Sequence, residues 1–227
     1  MKDFDETGLD GTPGVRPVTE ADPPDPPAVT SERALHCDKI LEHGDIFDAA
    51  VIRPPNLYGY SGSRYGYFFK KAEEAEKVGV LEFAADARSI FHSAHVDDCA
   101  EAYVALSQDQ VRSQVRQQVF NIAGSRYETL GQIAGALVGE YGVSGGAKFQ
   151  PKKKHVKKGL ENFIAKFSEW VSSEKIRRIT GWNDKTAIFH EKIHLYRQFY
   201  EAARAQGRME LEALEAMSKE WTGEEVA

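Results

Sequence analysis

The densest grouping of chemistry-bearing side chains is His190-Glu191-Lys192-Ile193-His194. On a continuous helix the two imidazoles share one face at i and i+4. There they can hold one zinc ion, with Glu191 as base toward a metal-bound water, the chemistry of a zinc peptidase. The longer form of that pattern fails, because Arg197 and Tyr200 stand where a glycine and a third histidine would follow. Phe189, Ile193, Tyr196 and Tyr200 form the apolar stripe of the same stretch, which leaves the histidines beside it near solvent. No metal is therefore expected. His92 and His95, with Cys99 nearby, point to opposite faces of a strand and do not converge on an ion. The run Lys152-Lys153-Lys154-His155-Val156-Lys157-Lys158 reads as a solvated loop in a chain of net charge -6. Gly135, Gly139 and Gly142 fall on and just after a helical pattern, so they cannot form the strand-to-helix turn that cradles a phosphate.

Elements that could position such groups come next. The 227 residues fit one large domain or one domain with tails. Net acidity, with 35 Asp+Glu against 29 Lys+Arg, argues against nucleic acid or an anionic membrane as partner. No apolar run approaches the ~20 residues of a membrane span, and two cysteines suit a reducing, cytoplasmic setting. Residues 1–30 hold six of the nine prolines and read as a Pro-rich loop or tail. Residues 31–205 alternate helix and strand patterns. Ser31 to Glu42 is a helix ended by Gly44. Ala49 to Ile52 is a strand buried on both faces and closed by Arg53-Pro54-Pro55. Tyr65 to Val78 is a helix with Gly79 as its C-cap. Val80 to Ala84 and Ile90 to Val96 are strands. Asp97 to Ser107 is a helix with two acidic residues in its first turn. Gln118 to Ile122 is a strand, and Thr129 caps a helix from Leu130 to Tyr141. Helices follow over Leu160–Phe167, Ser172–Ile179 and Ile188–Ala205, and 206–227 is an acidic helical or frayed tail. This alternation means α/β with some parallel sheet.

Four segments, in order, carry a resemblance. Val51-Ile52-Arg53-Pro54-Pro55-Asn56-Leu57-Tyr58-Gly59 resembles a strand-to-loop segment of the extended short-chain dehydrogenase/reductases, the NAD-dependent epimerase/dehydratase family. His95-Val96-Asp97-Asp98-Cys99-Ala100-Glu101-Ala102 resembles that family's His-Val-x-Asp segment. Gln118 to Gly124 followed by Thr129 is similar to a later strand, turn and helix. Ser172 to Ile176 with Ile179-Thr180-Gly181-Trp182 is similar to a terminal segment. Pro17-Val18-Thr19-Glu20 with Pro23-Pro24 resembles a loop in the middle of the family fold, so the resemblance spans about residues 17–200 of the chain.

The resemblance implies a partial Rossmann-like fold, late parallel strands plus a small α/β substrate-binding lobe, from a chain lacking the front half of the family fold. NAD or NADP is the cofactor it implies. Pro54 and Pro55 fall where the family packs against nicotinamide, and Asn56 where an amide meets substrate. Tyr58 begins the loop over the substrate. A substrate-binding arginine is expected four residues before His95, where Phe91 stands; Arg88 is three residues earlier. The catalytic Tyr and Lys, four apart on a helix, fall at Thr30 and Ala34, so no catalytic residue is assigned. His95 to Asp98 is expected to close a strand and cap a helix, and Arg53 to pair with a carboxylate. The function implied is that of an NAD(P)-dependent epimerase, dehydratase or carbonyl reductase, with this chain alone expected to be inactive in view of Thr30 and Ala34. A non-catalytic remnant or interaction module is the alternative. The expected partner is a small-molecule substrate, and a homodimer is left open.

Overall fold

The computed structural model describes residues 8–24, 28–60, 64–150 and 168–207, with side chains from Ser31 onward in the second span. Four strand pairs organise it. β1 (Ala50–Arg53) and β6 (Gln118–Asn121) pair in parallel, with Ile52 opposite Phe120. β2 (Asn56–Tyr58) and β5 (Ser93–His95) pair in parallel, with Asn56 opposite Ser93 and Tyr58 opposite His95. β3 (Leu81–Phe83) pairs in parallel with β8 (Ala147–Phe149), and β4 (Ile90–Phe91) antiparallel with β7 (Glu128–Thr129). Pro54 and Pro55 separate β1 from β2. Neither has an N–H to give a ladder, so the chain leaves one sheet there and enters another.

Helices follow the strands as their sequences dictate. α1 (Ala28–His36) runs into a 3₁₀ turn over Cys37–His43. α2 (Gly66–Val78) ends at Gly79, whose φ of 83° is the left-handed cap that glycine adopts at least cost. α3 (Val96–Leu106) begins where the His95 ring accepts the Asp97 N–H at 3.2 Å. The strand-closing, helix-capping role of this segment is thus present, with the imidazole rather than an aspartate as the cap. α4 (Arg112–Val115) is one short turn before β6. α5 (Leu130–Tyr141) opens with a capping box: Thr129 Oγ1 accepts the Gln132 N–H, and Gln132 Oε1 accepts the Thr129 N–H at 2.8 Å. α6 (Glu174–Thr180) and α7 (Ile193–Ala205) complete the described helices.

Two cores hold these elements. The lobe core joins Phe68, Leu81, Phe83, Phe91, Leu137 and Phe189, and the other joins Ala102, Phe120, Ile122, Ile176 and Trp182. A fully buried Phe or Leu contributes roughly 1.5–3 kcal/mol, so the clusters are the main source of stability.

Two expectations change, and one segment gains detail. Residues 8–24, expected as a Pro-rich loop or tail, are a loop tied to the fold by single bridges. Leu9 is buried and bridges Ser89, Val18 bridges Val171, and the Glu20 carboxylate accepts the Asn121 N–H at 2.8 Å. Single bridges leave no periodic pattern to read in sequence. The helix placed from Ile188 starts at Ile193, after a 3₁₀ turn over Phe189–Lys192. Lys192, with φ -125° and ψ 31°, breaks the continuity. β1 is half-buried at all four residues instead of buried on both faces. The Gln117 N–H reaches the Ala49 carbonyl and the Ile122 N–H the Arg53 carbonyl, so residues 49, 51 and 53 serve β6. Ala50 and Ile52 turn to the opposite flank, where no described strand pairs. The Leu160–Phe167 helix, the lysine run and the 208–227 tail lie outside the described residues.

Candidate functional site

Ligands of open α/β sheets bind beyond the carboxyl ends of parallel strands. At that end of β1 the Arg53 guanidinium forms an ion pair with Asp38, so Arg53 pairs with a carboxylate as its sequence context implied. Pro54 is exposed and Pro55 half-buried. Asn56 opens β2, and its Nδ2 donates to Glu169 Oε2 at 3.4 Å. Backbone pairing fixes Glu169 in place: its N–H donates to the Ile90 carbonyl at 2.8 Å, and its carbonyl accepts the His92 N–H at 3.1 Å.

Burial pushes the Glu169 carboxyl up to about 7, with the Arg64 guanidinium opposing that rise. Arg64 is itself held below its ordinary value by burial; Glu169 counters this and Arg33 adds to it. An amide and a carboxyl raised toward neutrality therefore meet at the start of β2, within the field of a guanidinium. Such perturbed groups beside a strand end mark a candidate site. Sequence reasoning named Asn56 but missed Glu169 and Arg64, whose neighbourhood is set by tertiary pairing.

Alternation along β2 puts Asn56 and Tyr58 on one face, level with Ser93 and His95. Tyr58 is buried, its ring edge-on to His95 at 5.3 Å and to Tyr196 at 5.4 Å. Its hydroxyl donates to the Ala187 carbonyl at 3.1 Å. The expected substrate loop residue is thus a packed core residue, and it lines a cavity of about 280 Å³ with Ser93, Ser125, Arg126, Asp184 and Glu191. Charges around that cavity are matched. Arg126 forks onto Glu191 at 2.7 and 3.0 Å, and Arg177 meets Asp184 at 2.7 Å while stacking on Trp182.

Arg88 sits in the turn before β4, its exposed guanidinium 3.5 Å from Asp86 and its carbonyl accepting the Asp10 N–H. Phe91, at the position expected for an arginine, is buried in the lobe core. Ala34 lies in α1, as does Thr30, whose side chain is outside the described set.

His190 and His194 do not share a helix face. His190 lies in the 3₁₀ turn, and its Nδ1 and N–H both meet Glu128 Oε2, at 2.8 and 3.0 Å. Glu191 is occupied by Arg126. No group of three metal-ligating residues occurs among the described residues. The zinc arrangement is therefore not assembled. Glu128 is fully buried, and burial raises its carboxyl above the ordinary range. It also faces the Tyr65 hydroxyl at 3.4 Å.

The described residues do not fit a complete dinucleotide site. Gly135 and Gly139 lie inside α5 and Gly142 caps its end, so no strand-to-helix turn of backbone N–H groups faces a phosphate. Pro54 and Pro55 offer at most a wall at the strand end.

No protein-family model and no curated protein sequence matches the chain. Solved structures do. The dTDP-glucose 4,6-dehydratase of Bacillus anthracis, solved with NAD, is 18% identical with a TM-score of 0.62; the match covers 83% of this chain and 57% of that one. The UDP-glucose 4-epimerase of Thermotoga maritima, solved with UDP-glucose, is 18% identical with a TM-score of 0.62, covering 87% and 61%. The UDP-glucuronic acid 4-epimerase of Bacillus cereus, solved with NAD, is 16% identical with a TM-score of 0.62, covering 87% and 59%. The chain thus spans about three-fifths of the length of these structures. By that likeness the chain has a partial Rossmann-like α/β fold, as in these epimerases and dehydratases.

Proposed function

We propose that this chain forms the substrate-binding side of an NAD(P)-dependent epimerase, dehydratase or related carbonyl reductase of the extended short-chain dehydrogenase/reductase family. It corresponds to the later part of that fold and does not complete the redox cycle alone. The observation that carries the reading is Asn56 at the carboxyl end of β1, beside Glu169 and within the field of Arg64. The cofactor, when bound by the complete fold, accepts or returns a hydride. In this chain Asn56 would orient a polar group of the substrate, and Arg64 would supply a cation. The buried Tyr58, Tyr65, Phe189 and Tyr196 rings form a rigid floor beneath them.

Neighbouring structures hold UDP-glucose and dTDP-type ligands, so a nucleoside diphosphate sugar is the first substrate class to test. Calorimetric titration with UDP-glucose and with NAD separates the parts of the reading. UDP-glucose is expected to bind, with Asn56→Ala weakening it about tenfold, and NAD to give no measurable heat. No UDP-glucose binding at millimolar concentration would overturn the substrate assignment.

A second reading, a non-catalytic interaction module, is favoured by one feature. Leu35, Ile40, Ile46 and Phe47 are exposed on the segment leading into β1, beside its bare flank. Exposed apolar side chains of that kind would suit contact with another polypeptide if they form one patch.

A further inference from the structure

The group in this site that neither the strand patterns nor the family resemblance singles out is Glu169. Its segment is locked by the bonds to Ile90 and His92, by Ser168 Oγ donating to the Gly8 carbonyl and accepting the Ile90 N–H, and by Val171 N–H donating to His92 Nδ1. The backbone that carries the carboxyl is therefore held in place. Among the described residues, two side chains act on this group and a third acts on one of them. Asn56 on β2 donates to it, Arg64 ahead of α2 attracts it, and Arg33 on α1 bears on Arg64.

Resting on the proposed substrate site, we propose that Glu169 is a specificity-determining residue that competes with an anionic substrate group for the Asn56 amide and the Arg64 guanidinium. Ionised, Glu169 accepts from Asn56, lies in the field of Arg64 and repels a second anion. Protonated, it releases the guanidinium and offers a hydroxyl donor to an incoming phosphate oxygen. The step is an uptake of one proton by Glu169 on ligand binding, with no covalent change. Because this carboxyl titrates at about 7 through burial, the exchange falls in the neutral range.

The test titrates UDP-glucose into the chain and into Glu169→Gln at pH 6 and pH 8. The diphosphate diester of this probe keeps its two negative charges across that interval, so any pH dependence belongs to the protein. The protonated fraction falls from about 0.9 to about 0.1, so the wild-type dissociation constant is expected to rise about tenfold. Glu169→Gln is expected to bind equally at both pH values, near the wild-type affinity at pH 6. Wild-type affinity that does not change with pH would overturn the inference and leave the substrate site standing. Absence of binding by both proteins at both pH values would overturn the two together. The carboxyl ¹³C shift of Glu169 in the wild-type chain is a check that needs no variant to fold. No titration between pH 6 and 8 would also sink the proposal.

Discussion

Replacing Asp98 by alanine is expected to cost about 3 kcal/mol, while the same change at Asp97 costs under about 1 kcal/mol. Both residues occupy the first turn of α3, and sequence alone treats them alike. Their surroundings differ. Asp98 is buried; Oδ1 accepts the Lys185 N–H at 3.0 Å and Oδ2 the Thr186 N–H at 3.1 Å. Its backbone carbonyl accepts Trp182 Nε1 at 3.0 Å, so one turn of helix anchors the loop over 182–186 that walls the cavity. Asp97 is exposed and holds the Tyr60 hydroxyl at 2.6 Å.

A hydrogen bond to a charged partner contributes roughly 1.5–3 kcal/mol. Loss of two gives a ceiling of about 6 kcal/mol, which loop relaxation and water entry reduce to about half. Asp98→Asn keeps one acceptor oxygen and is expected to cost about 2 kcal/mol. Against a total stability of about 5–15 kcal/mol, the alanine variant stands close to the folding limit. Urea unfolding at pH 7, followed by tryptophan fluorescence, reads all three. If Asp98→Ala costs no more than Asp97→Ala, the loop is held by something else and the reasoning fails.

Two further outcomes follow from buried carboxyls and misplaced histidines. The Glu169 carboxyl is raised from 4.5 to about 7, so its stabilising contribution is complete below pH 4.5 and is lost as pH climbs through 7. The shift corresponds to about 3 kcal/mol. The stability difference between wild type and Glu169→Gln should therefore drift by about that amount between pH 4.5 and 8, and a constant difference would refute it. Elemental analysis of purified protein should find no stoichiometric zinc, and His194→Ala should leave the metal content unchanged; zinc lost in that variant would restore the peptidase chemistry.

What the sequence revealed depended on how locally each element is specified. α5 was legible to the residue, because Thr129, Gln132 and the apolar series Leu130, Ile133, Ala134, Leu137 all state the same helix. α2 was legible through its glycine stop. The 3₁₀ turn over Phe189–Lys192 was not. Its Phe189 falls on the same apolar stripe that α7 continues, so periodicity ran straight through the break. Residues 8–24 stayed hidden because each bridge they make is decided by a distant strand edge. In the site, Asn56 was found because it sits inside a recognisable segment. Glu169 was hidden because its partner is 113 positions away in the chain. Tyr58 was named for its place in a motif, yet its energetics are those of an aromatic box.

The uncovered side of β1 has a bearing on handling the molecule. Among the described residues no strand pairs with the Ala50 and Ile52 edge, and Ile46 and Phe47 just ahead of it in the chain are exposed. A template of that kind recruits like segments from other molecules, and no lysine or proline within β1 acts as gatekeeper. Shelf life and crowding in the tube are thereby tied to four residues of backbone rather than to the site chemistry.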